Sequence, residues 1–117
     1  MKNIQNIEPE YLLLKENLWQ SYANVEAEMA KAQSQVGIIP KQAAIIIKKK
    51  SNFSKKNFAE VEKLQKKNKK TILSIVKVLA KKSGESGGYV HWGGTTRNII
   101  DTGNKLIFRE IHRSILK

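Results

Sequence analysis

The chain has 117 residues, no Cys, two His and a formal net charge of +12. That length allows one domain at most, and the lack of Cys excludes a disulfide scaffold, a thiolate nucleophile and any Cys-based zinc or iron–sulfur site. Two His alone argue against a metal centre, because a catalytic zinc wants about three protein ligands. The N-terminus has no sustained apolar core and carries Glu8, Glu10 and Glu16, unlike a signal peptide. No stretch reaches the ~18 apolar residues of a membrane span, so the expected location is cytoplasmic, with no membrane partner.

Residues 11 to 36 are expected to form a long helix. Tyr11, Leu14, Leu18, Tyr22, Val25, Met29, Ala32 and Val36 recur at spacings of three and four, which puts them on one stripe. That stripe is the expected core face, with Ala23, Ala27 and Ala30 flanking it and allowing another helix close. Pro9 and Gly37 punctuate the two ends. Ile38-Ile39-Pro40 reads as a connector, with Pro40 suited to the first turn of the next helix. QAAIIIKKK makes a short helix ending before Ser51-Asn52. Ser54 is then the expected N-cap of a third helix, with Phe58, Val61 and Leu64 inward and Lys outward. Lys66 to Lys70 interrupts the pattern, and a fourth helix takes Ile72, Ile75, Val76 and Leu79.

The basic excess lies in these middle helices. From Lys41 to Lys82 there are 14 Lys against Glu60 and Glu62, which is the whole net charge. Such a block fits a nucleic-acid or acidic-membrane partner, a field that draws in anions, or simply a solvated helix surface. Only Phe53 and Phe58 are interleaved as stacking aromatics, and Arg, the preferred bidentate reader of bases, is all but missing. The solvated surface is therefore the expected reading, and nucleic acid is not the expected partner.

Residues 83 to 94 hold five of the seven glycines and read as a loop that takes positive φ at little cost. Thr95 or Thr96 is the expected N-cap of a last helix marked by Ile100, Ile107, Ile111 and Ile115. That helix shows no C-cap signal, and its apolar pattern runs to the end of the sequence. The expectation is a single helical domain over residues 1–117 that is the N-terminal part of something longer, or a truncated product. No strand of convincing length appears, so the fold class is all-α.

The densest polar chemistry is Tyr89-Val90-His91-Trp92-Gly93-Gly94-Thr95-Thr96-Arg97-Asn98. A Gly-rich turn entering a helix start exposes several backbone N–H groups, and the helix dipole adds about half a positive charge there. Together these suit a carboxylate or phosphate, with His91, Thr95, Thr96, Arg97 and Asn98 as side-chain donors. The plainer alternatives are capping for the two Thr, which can coexist with anion binding, and a half-buried loop His bonded to backbone for His91. His112 reads as a surface residue.

YVHWGGTTRNIIDTG resembles the first signature segment of the aspartase/fumarase superfamily. The pattern is nearest its adenylosuccinate lyase and 3-carboxy-cis,cis-muconate cycloisomerase branch, Y-V-H-W-G-A-T-[ST]-Q-[DN]-I-x-D-T. NVEAEMAKAQSQVGIIPKQAA is similar to a V-E-A-x-x-A-x-A-Q helix followed by G-x-I-P in the same branch. The resemblance covers nearly the whole chain. It implies an all-helical fold with a long central bundle, a homotetramer, and active sites assembled from three segments of three subunits. The reactions it implies are eliminations that release fumarate through a carbanion-like intermediate, or a cycloisomerisation, on polycarboxylate or succinyl-nucleotide substrates, with no cofactor or metal. By that resemblance His91, Thr95 and Thr96 contact substrate carboxylate or phosphate, Asn98 supports the site, and Asp101 and Thr102 are structural.

The departures are specific. Gly94 replaces the usual Ala and Arg97 the common Gln, and Lys69, Lys70 and Thr71 stand where some lyases have a His. The second segment, with its catalytic His, and the third, G-S-S-x-M-P-x-K-x-N with its serine base, do not occur in the sequence. Proton abstraction needs a base within hydrogen-bond reach, so the chain alone is expected to be inactive, with no catalytic residue of its own. The alternatives are a small basic helical nucleic-acid-binding module and a non-catalytic oligomerising remnant.

Overall fold

The structure is a computed structural model and describes residues 14–116. Among the described residues five α-helices follow in order: α1 (Lys15–Gln35), α2 (Lys41–Lys50), α3 (Lys55–Asn68), α4 (Thr71–Lys82) and α5 (Thr96–Leu116). A 3-10 helix, Gly84–Tyr89, precedes α5. No strand occurs among the described residues, so the all-α expectation holds.

Helix α1 is the hub, packed against α2, α4 and α5. Its C-terminus closes in a Schellman motif: Gly37, at φ 81°, donates to Ser34 O at 3.2 Å, and Ile38 donates to Gln33 O at 2.9 Å. The face it buries differs from the expected stripe. Leu14, Ala32 and Val36 are exposed, and Leu18, Val25 and Met29 are half-buried. Tyr22 alone of the described stripe residues is buried, and Tyr11 and Pro9 lie outside the described residues. The core takes Trp19, Ala23, Ala27 and Ala30 instead. A helix flanked on several sides needs small side chains where its neighbours come close, and polar ones where they offer partners. Gln20 donates to Ser51 O at 2.8 Å and accepts from Phe53 N at 3.0 Å. Ser21 Oγ donates to Gly103 O and the Tyr22 hydroxyl to Asn104 Oδ1, each at 2.8 Å.

Pro40 stands at the N-cap of α2, one residue ahead of its expected place. Ile39 of the connector and Ile47 of α2 enter the core. Ser54 caps α3 as expected, in a capping box with Asn57: Ser54 Oγ accepts from Asn57 N at 3.3 Å, and Asn57 Oδ1 accepts from Ser54 N at 2.9 Å. Phe58 and Val61 are buried and Leu64 is half-buried. Lys69, at φ 60°, ends α3. In α4 Ile72, Ile75, Val78 and Leu79 are buried, while Val76 is half-buried.

Part of the glycine-rich stretch is not loop but the 3-10 helix, laid against the end of α4. Gly87 permits this approach, since a Cβ there would come 2.3 Å from Ala80 O. The inward face of α5 is Ile99, Gly103, Ile107 and Glu110. Of the four expected isoleucines Ile107 is buried, Ile100 and Ile111 are half-buried, and Ile115 is exposed. Gly103 fixes this rotation: a Cβ on it would lie 2.4 Å from Tyr22 Cδ1, so the backbones of α1 and α5 meet there. No helix among the described residues is long and apolar enough to cross a membrane.

Candidate functional site

The segment 89–98 is held on both sides by the framework above. Tyr89 and Trp92 pack ring to ring with centroids 5.6 Å apart. A turn follows, closed by Gly94 N donating to His91 O at 3.1 Å, with His91 at φ 62° and Gly93 at φ 69°. Helix α1 grips this turn from below: Gln33 Nε2 donates to Trp92 O at 2.5 Å, and Met29 underlies Gly94. A Cβ on Gly94 would meet only the mobile end of Met29 and the His91 ring, so an alanine fits after a small side-chain shift.

His91 is half-buried, as its plainer reading expects, but its partner is a carboxylate rather than backbone. Nδ1 lies 2.5 Å from Glu26 Oε1. The Glu26 side chain is wholly enclosed, and burial pushes its carboxyl above the usual range, opposed by the charge and hydrogen bond of His91. Sequence reasoning missed Glu26. The available signal was its place between Ala23, Ala27 and Ala30, on what proves to be the buried face.

Thr95 is the N-cap of α5: its Oγ1 accepts from Asn98 N at 3.2 Å. A hydroxyl that accepts in this way still has a proton to donate. Thr95, Thr96, Arg97 and Asn98 are all exposed. Arg97 Nε reaches Asp101 Oδ2 at 3.4 Å, one turn along, which tethers the guanidinium beside the helix start. Thr96 also lines a cavity of about 580 Å³, with Trp19, Tyr22, Ile100, Lys70 and Thr71 among its other walls. His91, Thr95, Arg97 and Asn98 are not among that lining. The structure thus brings the five expected residues into one turn and helix start, with Thr96 alone of them on the cavity. His112 is exposed, as expected.

Known proteins resemble the chain in sequence and fold. The chain is 36% identical over 97 residues to adenylosuccinate lyase of Methanocaldococcus jannaschii, covering 82% of this chain and 21% of that one. It is 31% identical over 93 residues to N-acetyl-S-(2-succino)cysteine lyase of Enterococcus italicus, covering 80% and 20% respectively. A crystal structure of fumarate lyase from Mesorhizobium sp. BNC1 superposes with a TM-score of 0.80 at 27% identity, over 94% of this chain and 26% of that one. The chain belongs to the aspartase/fumarase superfamily.

It corresponds to the N-terminal region of the superfamily and spans about a fifth of the length of the curated relatives it matches. No family model matches it. Within the superfamily framework two departures acquire places: Gly94 sits over a flexible methionine, and Lys70 and Thr71 wall the cavity that Thr96 also lines.

Proposed function

We propose that the chain supplies the first of three site segments in an adenylosuccinate lyase-like enzyme, binding the anionic end of a succinyl-bearing substrate and carrying out no elimination alone. The observation that carries this reading is the run Thr95-Thr96-Arg97-Asn98, exposed at the N-terminus of α5 directly after a turn that α1 holds in place. Helix N-termini favour carboxylate or phosphate through their unpaired N–H groups and dipole. Two hydroxyls, an amide and a tethered guanidinium add donors to the same place. Two of the relatives carry a succinyl group in their names, bonded to an adenylate in one and to a cysteine derivative in the other, and the dicarboxylate is what such substrates share.

In the elimination a base removes a proton next to one carboxylate, the electron pair forms the fumarate double bond, and the bond to nitrogen or sulfur breaks. Residues of this chain hold the carboxylates while that happens. The base belongs to the segments that the sequence lacks, so the full site is a composite with other polypeptide. The chain is tested with adenylosuccinate and fumarate in a ¹H–¹⁵N titration. Binding should shift the amides of residues 91–98 and vanish in a Thr95→Ala/Thr96→Ala variant; shifts confined elsewhere refute the site. Turnover by the 117-residue chain that Thr95→Ala abolishes would refute its inactivity.

Self-association is a second part of the proposal. Phe108, Ile115 and Leu116 stand 62–71% exposed on α5, and uncovered apolar surface of this kind favours association. A strictly monomeric mass by light scattering would remove it.

A further inference from the structure

We infer that Glu26 is a positioning residue for His91: its carboxylate accepts a hydrogen bond from Nδ1–H and leaves Nε2 as the ring nitrogen offered to a ligand. The two residues are 65 apart in sequence, yet Nδ1 and Oε1 are 2.5 Å apart. Glu26, Met29 and Gln33 recur at helical spacing on α1 and all three touch the turn: Glu26 its His91 ring, Met29 the Gly94 position, Gln33 the Trp92 carbonyl.

Stability does not explain a glutamate in this place. Its side chain is wholly buried beside the alanine face of α1, and its second oxygen, Oε2, has no hydrogen-bond partner. A buried carboxylate satisfied on one oxygen is a poorer core element than an apolar side chain of equal volume. His91 holds a left-handed φ of 62°, which a non-glycine residue keeps only when its surroundings over-determine it. The Glu26 bond is such a determinant. An ionised carboxylate accepts and cannot donate, so it selects the ring with a proton on Nδ1. A buried amide or an apolar residue in its place makes no such selection. Nε2 then meets the ligand as acceptor when the ring is neutral and as donor when it is charged. This deepens the anion-site reading and rests on it for what Nε2 meets.

The test uses long-range ¹H–¹⁵N spectra of the full chain, whose two imidazoles are assigned with His112→Gln. In the native protein His91 Nδ1 should carry a proton. In Glu26→Gln, whose amide can donate as well as accept, His91 should populate both neutral tautomers, with far-UV circular dichroism unchanged. A purely packing role for Glu26 would leave the ring state unmoved by this isosteric change. A native His91 without a proton on Nδ1, or a ring state unmoved in a folded Glu26→Gln, overturns the assignment. Should that variant not fold, the native spectrum decides alone. Failure of the anion-site reading is distinct: added adenylosuccinate would leave the His91 signals in place while the Nδ1 proton stays.

Discussion

Burial holds the Glu26 carboxyl above the usual carboxylate range, and the bond to His91 only partly offsets that. The native state therefore keeps this proton to higher pH than the unfolded chain does. Between the ordinary value, about 4.3 for Glu, and the raised one, the native state binds more protons, so the Glu26 contribution to stability falls as pH rises through that window. Glu26→Gln removes the dependence. In urea unfolding followed by circular dichroism, the stability of the variant relative to the wild type should rise from pH 4 to pH 7. Thr95→Ala should cost about 1 kcal/mol by removing the cap of α5, whether or not a ligand is present. The cap was legible from Thr95 and Thr96 standing before an apolar-periodic segment. The Glu26–His91 pair was not, because no local spacing links residues that far apart in sequence.

At the scale of elements, α1 and α5 meet through Ser21, Tyr22 and Gly103. Gly103→Ala adds a methyl 2.4 Å from a buried tyrosine ring carbon. Alanine recovers about 1 kcal/mol of helix propensity, against overpacking of about 1–3 kcal/mol in a core that cannot yield. The variant should melt lower than wild type. Gly94→Ala meets the flexible end of Met29 and, less closely, the His91 ring, so its melting temperature should stay within a degree or two of wild type, on the order of 0.5 kcal/mol. The number and order of the helices were readable from caps and periodicity: Ser54, Gly37, Pro40 and the Ile and Leu spacings each marked a boundary within a residue or two. The rotation of α1 and α5 was not readable. Period analysis follows the largest apolar side chains, whereas the crossing of α1 with its neighbours is set by Ala23, Ala27, Ala30 and Gly103, small residues with weak hydrophobic signal. Buried Gln20 and Ser21 carry no such signal at all, and their burial follows from the carbonyls and amide that the neighbouring elements present.

At the scale of the whole molecule, the lysine block finds an ordinary physical role. Seven of its 14 lysines stand in the last turns of α2, α3 and α4, where cations complement the negative end of the helix dipole. Lys82 lies 5.0 Å above the Phe53 ring and donates to Asn52 O and Asn57 Oδ1. Burial, and next to it the repulsion of Lys50, holds its ammonium below the usual lysine range. Repulsion within a +12 surface extends over many pairs, and the favourable dipole contacts are each worth only about 0.3–1 kcal/mol. Screening should therefore relieve more than it removes. The melting temperature should rise between ~0.02 M and ~0.2 M NaCl, over which the Debye length falls to below ~10 Å; a fall would show that the dipole contacts dominate.

The double hydrogen bond from Gln20 to the segment between α2 and α3 makes a connecting turn part of the interior. Such turns ordinarily open on their own, well below the free energy of global unfolding. Here Phe53 is tied at its backbone to Gln20 in the second turn of α1 and buried at its ring, so its amide can meet solvent only when that part of α1 lets go. In deuterated water that proton should outlast those of its exposed neighbours and leave in step with the slowest amides of the long helix.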